Sequence, residues 1–64
     1  MINDYADLIK KLRKEMLLSQ TEFAQLLGVS FASVNRWENG QHEPTIKIKR
    51  KLKGLFKEYK IIEE

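Results

Sequence analysis

The sequence predicts an all-α fold, a small bundle of four short helices built around a helix-turn-helix. Three observations predict it. Apolar residues recur at helical spacing in four separate stretches, with no alternating stretch that would make a strand. Each of the three later stretches opens on a serine or threonine that can cap a helix. In "SQTEFAQLLGVSFASVNRWENG" (19–40) a glycine stops one helical pattern and a serine restarts it two residues later, so two short helices are joined by a tight turn.

Size and composition bound what such a fold can do. Sixty-four residues make a single domain (1–64), and a chain of that length buries only about 60 % of its unfolded surface. No cysteine is present, so a disulfide framework and a thiolate metal site are both excluded. No apolar run approaches the roughly 20 residues that span a bilayer, and no basic-then-apolar leader opens the chain. The chain therefore reads as soluble and cytoplasmic.

The first helix carries Tyr5, Leu8, Ile9, Leu12 and Met16 on one stripe, with Asn3 placed to cap it. The second begins at Ser19. In Ser19-x-x-Glu22 the serine oxygen can accept from the Glu22 amide while the glutamate returns to the Ser19 amide. Leu18 and Phe23 flank that box at the spacing of a hydrophobic staple, and Gly28 ends the helix by entering the left-handed region without steric penalty.

Ser30 caps the third helix, Val29 and Val34 repeat the staple spacing, and Asn39-Gly40 closes it. A short loop leads to Thr45 and the fourth helix, whose apolar stripe reads Ile48, Leu52, Leu55, Tyr59 and Ile62. That stripe either covers the core or forms a seam with a second copy. Gly54 weakens the helix by roughly 1 kcal/mol relative to alanine. Between the second and third helices, the small Ala24 permits close approach of the axes and Val34 fills the space left. The turn Leu27-Gly28-Val29 is short enough to predict a near-perpendicular crossing, the helix-turn-helix arrangement over about 19–39.

With these elements in place, residues 8–56 resemble the phage repressor and Cro type of helix-turn-helix domain, the Xre-like family. The likeness rests on "LRKEMLLSQTEFAQLLGVS", on "VNRWENG", and on a proline and capping residue that open another helix. It implies a lambda-repressor-like bundle. Family members commonly add a fifth helix, whereas this sequence stops soon after the fourth, which leaves the dimerisation surface open. The family's function implies sequence-specific binding of double-stranded DNA, as a transcriptional regulator or repressor, with a homodimer on an inverted-repeat operator. The alternative is a protein-interaction module, an adaptor or antitoxin-like partner using the same fold. The low charge of residues 19–44 favours that alternative: Arg36 is their one basic residue, against three glutamates.

The charge of the whole chain is +3, and it is unevenly spread. Residues 45–60 hold seven lysines and arginines against Glu58 alone. Such a segment serves equally as a solvated face or as an attraction for a polyanion.

Taking Val34 as the inward pole of the third helix and advancing 100° per residue, Trp37 falls toward the core. Ala32, Arg36 and Asn39 fall outward, with Phe31, Ser33 and Asn35 on the flanks. A helix of about 12 Å diameter fits the DNA major groove. Arg36 is the sharpest candidate, because its planar fork matches O6 and N7 of guanine; the other reading pairs it with Glu22 or leaves it free. Ala32 and Phe31 are candidates for a thymine methyl, although Phe31 could instead fold back onto the second helix. Ser33 can meet a base edge, a phosphate or only its own helical turn, and Asn35 reads as solvated.

The resemblance adds Gln20 and Asn39 as phosphate contacts, the first at a helix N-terminus where free amides favour an anion. Lys47 and Lys49 would approach the same backbone. It also implies a structural ion pair between Arg13 and Glu38, tying the first helix to the end of the third. No enzyme is indicated. His42 is the single histidine and lies in a turn, and neither a phosphate loop nor a nucleophile motif appears, so no cofactor or metal is expected.

Overall fold

The computed structural model describes residues 5–62, in which four helices follow one another: α1 Tyr5–Glu15, α2 Gln20–Leu27, α3 Phe31–Glu38 and α4 Ile46–Glu58. The expected Asn3 cap lies outside the described residues. α3 packs on both α2 and α1, and α4 closes the bundle against α1. No strand and no fifth helix occurs among the described residues.

Every helix contributes to one core. Ile9 and Leu12 of α1, Phe23 of α2, Val34 of α3 and Leu52 of α4 are all fully buried. A side chain such as Phe23 contributes about 2–3 kcal/mol by leaving water. Ala24 and Trp37 are buried where α2 and α3 face each other, and Leu18, Met16 and Val29 pack at the rim.

The helix starts follow from local chemistry. Ser19 accepts from the Glu22 amide (3.1 Å) and Glu22 Oε1 accepts from the Ser19 amide (2.9 Å), so both halves of the capping box are made. Ser30 and Thr45 accept from the amides of Ser33 and Ile48 in the same way.

The helix ends share one geometry. After α2, the Val29 amide donates to the Ala24 carbonyl (2.9 Å) and the Gly28 amide to Gln25 (3.2 Å), with Gly28 at φ +75°. This is the Schellman arrangement, which satisfies carbonyls that a helix end would otherwise orphan. The pattern recurs after α3 at Gly40 (φ +74°), after α1 at Leu17 (φ +60°) and after α4 at Lys60 (φ +57°). Two of the four helices thus stop without glycine.

Leu17 is left-handed and 88 % exposed, so it bears backbone strain and gains almost nothing by burial. Leu17→Gly should stabilise the fold by about 0.5–1 kcal/mol, the strain relieved outweighing glycine's greater freedom in the unfolded chain. That is a rise of roughly 2–8 °C in Tm by thermal melt; a fall would contradict it. Gly28→Ala should show the opposite sign from the backbone alone, since a Cβ there meets no atom within 4 Å.

The stripe expected of α4 holds at Ile48, Leu52, Leu55 and Ile62 but not at Tyr59. Its core positions are Ile48, Leu52 and Phe56, at successive intervals of four, with Leu55 half-buried beside them. Phe56 replaces Tyr59 in the stripe because the helix ends at Glu58: Tyr59 becomes the cap and stands 37 % exposed. The Phe56 ring packs near Tyr5, with centroids 6.4 Å apart, and Ile61 turns back so that its amide reaches the Phe56 carbonyl. Gly54 is exposed and does not interrupt the helix.

Candidate nucleic-acid interface

α3 is oriented by what it buries. Val34 and Trp37 anchor its inner face, so Phe31, Ala32, Arg36 and Asn39 are left exposed on the outer one. Phe31 stands 51 % exposed, an apolar residue at the leading end of the helix. Ser33 is half-buried. Its hydroxyl oxygen accepts from Ser30 Oγ at 3.1 Å, which leaves its own O–H available to donate outward.

The Arg36 guanidinium makes no hydrogen bond or ion pair among the described residues, and only its backbone carbonyl is engaged, by the Gln41 amide (2.9 Å). Glu22, the partner that sequence offered it, is engaged in the capping box, and Glu43 nearby is engaged by Lys49. Arg36 borders a shallow groove of about 280 Å³ between α3 and the start of α4. Ser33, Trp37, His42 and Thr45 line the same groove, so the loop after α3 and the beginning of α4 share one surface with Arg36.

A partly buried ion pair ties α1 to the end of α3. Arg13 donates through Nε to Glu38 Oε2 (2.7 Å) and through Nη2 to Oε1 (3.1 Å), while Nη1 donates to the Leu18 carbonyl (3.1 Å). The Glu38 side chain is only 4 % exposed. The hydrogen bond to Glu38, more than its charge and against the opposing effect of burial, raises the Arg13 guanidinium above its ordinary value.

Gln20 joins this pair. Its Nε2 donates to Glu38 Oε1 (2.9 Å) and its Oε1 accepts from Asn35 Nδ2 (3.3 Å). Asn35 in turn accepts at Oδ1 from Asn39 Nδ2 (3.1 Å). Gln20 and Asn39 are thereby brought into one network, and Asn35 is the residue between them. Sequence offered only half of this signal, the spacing of four between Asn35 and Asn39; the bond to Gln20 depends on how α2 meets α3.

The two lysines diverge. Lys47 is exposed on the first turn of α4. Lys49 is turned toward α1, with Nζ 2.8 Å from Glu43 Oε1 and 4.9 Å from the Tyr5 ring centroid, an ion pair and a cation–π contact together. The hydrogen bond to Glu43 raises the Lys49 ammonium above its ordinary value.

No group of three or more histidine, aspartate or glutamate side chains among the described residues is placed to hold a metal ion. No helix among them is long and apolar enough to cross a membrane.

Comparison with known proteins found no match among curated proteins or solved structures. A family model described as helix-turn-helix matches residues 9–52, well over half of the chain, and spans the ion pair, α2, the turn and α3. The chain belongs to the helix-turn-helix family of the Cro/CI, Xre-like type, a family of DNA-binding regulators.

Proposed function

We propose that the chain is a sequence-specific transcriptional repressor that reads double-stranded DNA in the major groove with α3. The observation that carries this reading is Arg36, a cation on the outer face of α3 with no intramolecular partner among the described residues. Around it, Phe31 and Ala32 offer apolar surface to thymine methyls and Ser33 offers a hydroxyl donor. Gln20, at the N-terminus of α2, and Asn39, just past α3, take phosphates on either side of the reading helix. Lys47 takes a further phosphate. Lys49 joins it on releasing Glu43, a carboxylate whose side chain is 68 % exposed and whose hold is therefore weak. One such domain covers few base pairs, so two copies on an inverted repeat supply the specificity a regulator needs.

Salt separates this from a protein-binding role. Duplex affinity should fall steeply and linearly in log–log form as salt rises, because bound phosphates release counterions. Lys47→Ala should weaken all duplex sequences alike and reduce that slope by about one. A titration by fluorescence anisotropy from about 50 to 200 mM salt checks both. A flat slope in the unaltered chain would favour a protein partner.

A further inference from the structure

The network through Gln20, Asn35 and Asn39 has a direction, and Glu38 sets it. Paired with Arg13 and 5 % exposed, Glu38 is a carboxylate that only accepts. Gln20 therefore has to present its NH₂ group to Glu38, which turns its oxygen away. Asn35 has to present its own NH₂ group to that oxygen, and its remaining oxygen accepts from Asn39. A reversed Asn35 amide would set oxygen against oxygen at Gln20 and NH₂ against NH₂ at Asn39. The oxygens of Gln20 and Asn35 are thus consumed inside the network, while each of the three NH₂ groups keeps one N–H unspent. A carboxamide free to rotate would offer its oxygen as readily as its nitrogen, and an oxygen repels a phosphate.

We propose that Asn35 is a positioning residue for DNA binding. It passes the orientation imposed by the Arg13–Glu38 pair from Gln20 to Asn39, so that both carboxamides offer nitrogen to the phosphate backbone. This rests on the reading of Gln20 and Asn39 as phosphate contacts given above.

The test is a double-mutant cycle on the full chain, binding one duplex drawn from selection and one random duplex. Asn35→Ala and Gln20→Ala should each weaken both duplexes by about three- to tenfold, and the double variant should be no weaker than the poorer single one. The loss should be equal for the two duplexes, because phosphate contacts carry no sequence information. In the free protein, the Gln20 side-chain NH₂ resonances should shift and exchange faster with water in Asn35→Ala.

Asn35→Asp provides a second arm. It keeps the acceptor for Asn39 but cannot donate to Gln20, so it should weaken binding more in the unaltered background than in Gln20→Ala. Its charge repels DNA in both backgrounds, and the cycle removes that repulsion.

Losses that multiply in the double variants, or an unchanged Gln20 resonance, would overturn the relay and leave DNA binding standing. A change in base preference in Asn35→Ala would overturn it by making Asn35 a reader. A wild-type chain that bound neither duplex would overturn both the relay and the reading on which it rests.

Discussion

Arg13→Ala should lower Tm by roughly 10–25 °C without altering base preference at temperatures where the variant is folded. The reason is the partner left behind. The Glu38 side chain is 4 % exposed, and without Arg13 it keeps one hydrogen bond, from Gln20, to offset the burial of a full charge. Stranding a buried carboxylate costs about 3–5 kcal/mol, reduced here toward about 2–4 because Arg13 itself is partly solvated. A 64-residue domain holds only about 3–10 kcal/mol in total, so the variant sits near the edge of folding.

Combining Arg13→Ala with Glu38→Gln should recover part of the loss, since it removes the buried charge and keeps an acceptor for Gln20. A thermal melt followed by circular dichroism reads both variants, and an unchanged Tm in Arg13→Ala would contradict this account of the pair. The sign with pH also follows. Because the Arg13 guanidinium is raised above its unfolded-state value, its contribution is fully present below that value. It is lost only as pH climbs through the still higher folded-state value, so no alkaline loss arises from Arg13 near neutrality.

Arg36→Ala should act on recognition and leave stability nearly untouched. Arg36 is exposed and makes no ion pair among the described residues, so its removal opens no cavity and strands no charge. If its fork meets a guanine, the loss is about 1–3 kcal/mol of discrimination, or roughly 5- to 150-fold, at one base pair of each half-site. The variant should still bind DNA, with preference relaxed at that position alone. Repeating the selection with the variant checks this. An unchanged motif would remove Arg36 from the reading surface, and a uniform loss across sequences would make it a phosphate contact.

What the sequence made legible is what depends on near neighbours. Ser19 and Glu22 lie three residues apart, and their capping box needs nothing beyond α2. Gly28 and Gly40 announce left-handed stops because glycine is the residue such stops favour, but Leu17 and Lys60 adopt the same conformation unannounced. There the chain accepts strain so that Leu18 and Ile61 can pack against the core.

The stripe of α4 fails only at Tyr59, for a related reason, while Ile62 beyond it still packs against the core. An apolar pattern does not say where a helix stops, and Tyr59 lies just past the end that Lys60 imposes. The polar network was the least legible part. Asn35 looks like a solvated flank residue on α3 alone, and becomes the link between Gln20 and Asn39 once α2 is packed alongside. Lys49 is a similar case, since its contacts with Glu43 and Tyr5 join a loop and a helix far apart in sequence.

Whether α3 reads a base sequence is decided by selection from a random duplex pool at roughly 0.15 M salt, the physiological level. An inverted repeat with half-sites about one helical turn apart should be enriched. Recovery of duplexes with no common motif, bound only through salt-sensitive attraction, would contradict base reading by α3.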